Sequence, residues 1–147
     1  MPRDEGDRTD EEELRALVEA YAAAADAGDG SAFGELFLPE ARLTTWPPDG
    51  SPGNPRYGAE HIAAIPGALS HRYDRTDHLL GELHLVVAGD GRTALGNLEC
   101  EAHHVSGDVD RILAIRYEDA YRRGPDGRWR FATRDVRVQS VVERPLR

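Results

Sequence analysis

A chain of 147 residues with 27 acidic and 18 basic side chains carries a formal net charge of -9 and a pI of about 5.1. That balance argues against a phosphate backbone or an anionic membrane surface as partner, because both reward clustered Lys and Arg. The length suits one domain that buries about two thirds of the surface its unfolded form exposes, the lone Cys100 excludes an intrachain disulfide, and no apolar h-region or bilayer-spanning run is present, so a cytoplasmic protein is expected.

Taken in order, residues 1–8 are polar and charged and are expected to form a disordered or loosely packed tail, leaving 9–147 as a single domain. Thr9 followed by Glu12 has capping-box spacing, and Asp10 to Glu13 place negative charge on a first helical turn. Leu14, Leu17, Val18, Tyr21, Ala22 and Ala25 then repeat at helical spacing and predict one buried face. Asp26 falls at the margin of that face, near the negative end of the helix dipole, where local propensity does not account for it. Gly28 and Gly30 end the helix. A short second helix is expected over Ser31 to Phe37, with Phe33, Leu36 and Phe37 covering the core and Pro39 stopping it. Arg42 to Trp46 reads as a strand, and Pro47 to Gly58 as a loop too rich in Pro and Gly for regular structure, either a lid over a pocket or a surface linker. Ala59 to Ile65 reads as a short helix ended by Pro66.

From Asp77 the period changes to two, and four strands separated by turn residues follow: His78–Ala88, Thr93–Val105, Arg111–Arg123 and Trp129–Val142. Short connections make them antiparallel neighbours, and helices followed by strands indicate an α+β fold. Alternation places Ala94, Gly96, Leu98, Cys100, Ala102 and His104 on one face of the second of these strands, with His103 on the other. In the third, Leu113, Ile115, Tyr117, Asp119 and Tyr121 share the apolar side, opposite Arg116, Glu118 and Arg122. In the first, Leu79, Leu83, Leu85 and Val87 read as one side, and His78, Leu80, Glu82, His84 and Val86 as the other.

Histidines near a carboxylate raise the possibility of a zinc site. HxH and HExxH spacings are missing, however, and adjacent His103 and His104 face opposite ways, so no metal and no cofactor are expected. Phosphate loops, GxSxG elbows and dinucleotide fingerprints are likewise missing. Cys100 lies among apolar residues and reads as inert filling.

The segments YAAAADAGD, FGELFLPEARL, GAEHIAAI, TDHLLGE and YRRGPDGRWRF, in that order and spacing, resemble the nuclear transport factor 2-like superfamily in its SnoaL-like branch over residues 12–142. The resemblance is strongest to the scytalone dehydratase and bile-acid 7α-dehydratase families. It implies a cone-shaped curved antiparallel sheet, of the cystatin-like kind, wrapped around the N-terminal helices and enclosing an apolar pocket. It also implies Asp26 and His78 as catalytic residues. His104 matches a second catalytic histidine if the Gly89–Arg92 turn takes one extra residue; an ungapped count lands on His103, and the inward face favours His104. Tyr21 matches a site tyrosine. The positions of two scytalone dehydratase tyrosines and an asparagine hold Ala25, a residue near Thr45, and Tyr117, so that family's substrate does not carry over.

Chemistry gives these residues a shared logic. A carboxylate that accepts from an imidazole fixes its tautomer and raises its basicity, and His104 or Tyr117 across a pocket could steady a developing oxygen anion. The expectation is a cofactor-independent lyase or isomerase, dehydrating or shifting a double bond next to a carbonyl in a mostly apolar cyclic small molecule. Secondary metabolism or steroid- and polyketide-like chemistry would be its setting. Asp26, His78 and His104 would be catalytic, and Tyr21, Tyr117, Asp119 and Trp46 would contact substrate. The alternatives are a polyketide cyclase with Asp26 or Asp119 as base and a non-catalytic binding domain. A back face carrying Ile112, Arg116, Glu118 and Arg122 predicts a homodimer or homotrimer.

Overall fold

The computed structural model describes residues 9–146; the tail expected over residues 1–8 lies outside them. The element order is α1 (Asp10–Ala27), α2 (Gly30–Gly34), β1 (Phe37–Trp46), β2 (Asn54–Tyr57), α3 (Ala59–Ile62), α4 (Ile65–Arg72), β3 (Arg75–Leu80), β4 (His84–Val87), β5 (Thr93–Ser106), β6 (Val109–Arg123) and β7 (Trp129–Pro145). All strands belong to one curved, unclosed sheet of order β2-β1-β7-β6-β5-β3, with β4 pairing the other end of β5. The architecture is the expected α+β arrangement of helices held against a curved sheet.

Helix α1 begins at a reciprocal cap, in which the Thr9 amide donates to Glu12 Oε1 at 3.0 Å and the Glu12 amide to Thr9 Oγ1 at 3.1 Å. It ends at Gly28, whose φ of 69° is left-handed and whose amide reaches the Ala24 and Ala25 carbonyls. Between these caps Leu14, Leu17, Val18, Tyr21, Ala22 and Ala25 are buried, as the spacing predicts. Apart from Ala22, they pack on the concave face of the sheet with Phe33, Leu43, Leu98 and Phe131. Each large apolar side chain buried there contributes roughly 1.5–3 kcal/mol.

Strands β5 and β6 alternate as expected: Ala94, Gly96, Leu98, Cys100, Ala102 and His104 are buried on one side, and Ile115, Tyr117, Asp119 and Tyr121 on the other strand's matching side. Gly96 is where a side chain is forbidden, since a Cβ there would lie 2.8 Å from the Tyr121 ring.

Several local expectations are corrected. The second helix stops at Gly34, and Phe37 opens β1, stacking on Phe131 with ring centroids 4.8 Å apart. Pro39 therefore lies inside a strand, in the stretch between Phe37 and Arg42 where the register with β7 shifts and a missing amide is tolerated. Asn54–Tyr57 is not loop but an edge strand, another position that admits a proline. Pro66 does not end a helix; it occupies the first turn of α4. Strand β1 runs parallel to β7, whereas the other strand pairings among the described residues are antiparallel.

The largest correction concerns His78–Ala88, which is two strands. The Gly81 amide donates to the Glu99 carbonyl at 2.8 Å between β3 and β4, and the pleat changes phase there. Thr76, His78 and Leu80 face inward before the break and Leu83, Leu85 and Val87 after it, leaving Leu79 exposed.

Candidate active site

The last turn of α1 carries Asp26 to the inner face of β3. There the His78 amide donates to Asp26 Oδ2 at 3.0 Å, the Thr76 hydroxyl to Oδ1 at 2.9 Å, and His78 Nδ1 lies 2.6 Å from Oδ1. Three donors offset the unfavourable placing of a carboxylate at a helix C-terminus. Because an ionised carboxylate only accepts, Nδ1 is the nitrogen that carries the proton in the neutral imidazole, the tautomer that leaves the lone pair on Nε2. The His78 side chain is 7% exposed and that of Asp26 28%, so the imidazole is shielded while its partner touches water.

His104 is brought to this pair by register. Thr76 stands opposite His104 and His78 opposite Ala102, and the His78 and His104 ring centroids are 5.9 Å apart. The Tyr73 ring also packs against His104, with centroids 4.6 Å apart. His104 is buried, and its Nε2 has no hydrogen-bond partner among the described residues. Burial, followed by the proximity of His78, Arg111 and Arg72, pushes its pKa down to about 4. The ring is neutral at pH 7 and offers one N–H and one lone pair.

A cavity of about 500 Å³, within the usual range for small-molecule sites, opens beside His104. Its walls include Tyr73, Leu113 and Val138, and Pro47, Pro48 and Pro52 of the β1–β2 connection form part of its edge. Asp26 and His78 do not line this cavity, although the His78 ring centroid lies 5.9 Å from that of His104, which does. A depression of about 550 Å³ on the outer face is lined by Leu79, Ile112 and Val142 and lies away from these groups.

The remaining expected site residues go elsewhere. Tyr21, Tyr117 and Asp119 surround Arg134, a residue the sequence reading missed. Arg134 Nε and Nη2 donate to Asp119 Oδ1 and Oδ2 at 2.8 and 3.1 Å, and Tyr121 donates to Oδ2 at 2.6 Å. The guanidinium carbon lies 4.1 Å from the Tyr21 ring centroid and 3.7 Å from that of Tyr117. Burial raises the pKa of both tyrosines. With both oxygens occupied and its side chain fully covered, Asp119 is a structural partner of Arg134 and does not reach the cavity. The register shift opposite Ala120 and Tyr121 hides Arg134 from simple alternation: Phe131 and Arg134, three apart, both point inward. A buried aspartate in need of a cation is the signal that could have found it.

Trp46 turns its indole to Asp135, donating from Nε1 at 3.0 Å, with Arg137 stacked 4.9 Å from the ring. Its neighbours Thr45 and Pro47 line the cavity and Trp46 does not. Cys100 is buried, and burial pushes its thiol up to about 11, which leaves it protonated and inert. Among the described residues no group of three or more His, Cys, Asp and Glu side chains is arranged to hold a metal ion, and no helix is long and apolar enough to cross a membrane.

Residues 7–135 match the model of the SnoaL-like domain. Among solved structures, the chain is similar to a candidate scytalone dehydratase from Novosphingobium aromaticivorans, at 16% identity and a TM-score of 0.78, covering 93% of this chain and 89% of that one. An NTF2-like protein with a cystatin-like fold from Novosphingobium aromaticivorans is 28% identical, with a TM-score of 0.70 and coverage of 88% and 81%. Hexachlorocyclohexane dehydrochlorinase LinA-type3 from Novosphingobium barchaimii is 18% identical, with a TM-score of 0.75 and coverage of 92% of each chain. No curated protein matches the chain.

Proposed function

The chain belongs to the SnoaL-like family, and within it we propose a lyase or isomerase in which His78, oriented by Asp26, is the general base and His104 stabilises a developing oxygen anion. The observation that carries this reading is the 2.6 Å contact between His78 Nδ1 and Asp26 Oδ1. It fixes the tautomer that leaves Nε2 free to take a proton, and it places a negative charge against the imidazolium that results.

His104 acts by donation rather than by full proton transfer. A ring with a pKa near 4 is already neutral in the working range, so it has no easily lost proton; it can hold an enolate oxygen by hydrogen bonding. Tyr117, packed under Arg134 in the core, takes no part. An Asp119 base, as a cyclase reading would allow, is disfavoured by the occupancy of both its oxygens. The cavity beside His104 suits a mostly apolar cyclic molecule, with a proton removed next to a carbonyl and water lost or a double bond moved. Because His78 does not line the cavity wall, substrate reaches it past His104, and a small displacement of that ring or of the Pro47–Pro52 edge accompanies binding.

The test is turnover of a panel of cyclic hydroxy-ketones by wild type and His78→Ala. Removal of a general base lowers the rate roughly 10²–10⁴-fold, with the circular dichroism spectrum unchanged. Equal turnover by both proteins would leave the dyad without a catalytic role.

A further inference from the structure

The charges around the cavity run against those of the whole molecule. In a protein of net charge -9, no aspartate or glutamate among the described residues lines this cavity, whereas Arg56, Arg72 and Arg111 do. Arg111 is placed there by register: it stands opposite His104 across the β5–β6 pair and shares its inward face. Arg72, at the end of α4, lies 5.3 Å from the Tyr73 ring. Among the described residues no carboxylate is ion-paired with Arg72 or Arg111, although most of the other arginines facing the sheet's acids are so engaged. Glu143, the cross-strand neighbour of Arg111, borders the adjoining shallow groove and not the cavity itself.

A second, independent observation lies on the cavity wall. His104 is more than nine-tenths buried and its Nε2 is unpartnered among the described residues. A buried polar atom left without a partner costs roughly 1–3 kcal/mol in a finished core, which marks the place where a ligand's oxygen completes the site.

We propose that the cavity takes a cyclic keto- or hydroxy-acid, with its carboxylate held by Arg72 and Arg111 and its second oxygen reaching His104. The proposal rests on the reading of this cavity as the active site and names the class of substrate it receives. A planar guanidinium fork matches a carboxylate in shape as well as in charge. Leu113, Val138 and Leu69 supply the apolar wall for the ring. A neutral ring of equal size would leave both guanidinium groups without an anion.

Binding of 2-naphthoate and of 2-naphthamide, measured by calorimetry, separates the charge from the ring. Wild type binds the acid at least about tenfold more tightly than the amide, as expected for a charge-assisted bidentate contact, and the advantage shrinks as salt rises. In Arg72→Gln/Arg111→Gln the two affinities come within about twofold of each other. Equal affinities in wild type, an advantage that survives in the double variant, or binding of neither probe would overturn the proposal. The wild-type comparison at low and high salt stands even if the double variant fails to fold. Because no turnover is involved, an inactive dyad would leave the result in place, whereas turnover of neutral ketones with no preference for the acid would overturn this inference alone.

Discussion

His103 and His104, adjacent on β5, are held on opposite sides of the usual imidazole pKa by the two faces of one sheet. His103 is clamped between Asp110, 2.7 Å from Nδ1, and Glu101, 2.8 Å from Nε2, and those hydrogen bonds raise its pKa above the ordinary 6.5. His104 faces the cavity, where burial lowers its pKa to about 4.

Opposite shifts give opposite pH dependences. For His103 the folded pKa exceeds the unfolded one, so its contribution to stability is full below about 6.5 and is lost as pH rises through the raised value. For His104 the unfolded chain takes up the proton first, so stability falls as pH drops from 6.5 toward 4. Urea denaturation should find His103→Gln destabilised relative to wild type near about pH 6, with the gap narrowing near about pH 9. His104→Gln should flatten the acid limb. Parallel pH profiles for wild type and both variants would contradict the assignment.

Arg134 and Asp119 form a fully covered pair in the middle of the sheet. Asp119→Asn leaves a buried guanidinium without its counter-charge, and breaking such a pair by removing one partner costs about 3–5 kcal/mol. Replacing both residues by apolar side chains, Arg134→Met with Asp119→Leu, should recover part of that loss, since the remaining charge is gone as well. A single-variant loss below about 1 kcal/mol would mean that water or another donor reaches the pair.

How legible was this in the sequence? The face of α1, the parity of β5 and β6, and the position of Asp26 follow from spacing, because helical and strand periods dominate where one face is buried. His78 was readable as a candidate only through resemblance. Its inward direction rests on a strand break at Gly81 that alternation carried across His78–Ala88 obscures. Arg134 was hidden for a related reason: a bulge shifts parity by one, so that Phe131 and Arg134, three apart, both point into the core. Trp46 and Asp119 look like pocket residues by type, and only tertiary neighbours show that Asp135 and Arg134 already engage them.

The outer face of the sheet supports a proposal about assembly. Leu79, Leu95 and Val142 are 55%, 62% and 47% exposed, and they lie among ion pairs of mixed sign such as Arg116 with Glu99 at 3.1 Å. Apolar groups ringed by paired charges of both signs suit a self-complementary contact. We propose a homodimer or homotrimer through this face. Light scattering should give two or three times 16.2 kDa, and Val142→Asp should lower that mass; a 16.2 kDa species alone at micromolar concentration would reject the assembly.

The sharpest kinetic prediction concerns the carboxylate behind His78. Asp26→Asn preserves an acceptor for Nδ1–H but removes the charge that stabilises the imidazolium, so the rate should fall nearly as far as in His78→Ala, roughly 10²–10⁴-fold. Thr76→Val removes one of the three donors that fix Asp26 and should cost only up to about tenfold, the value of one hydrogen bond. His103→Ala, on the outer face, should leave turnover unchanged. The order His78→Ala, Asp26→Asn, Thr76→Val, with decreasing loss, distinguishes an oriented base from a carboxylate acting directly. In the latter case Asp26→Asn would be the most damaging and His78→Ala would retain substantial activity. Steady-state kinetics on the four variants, with thermal melts to confirm folding, decides between them.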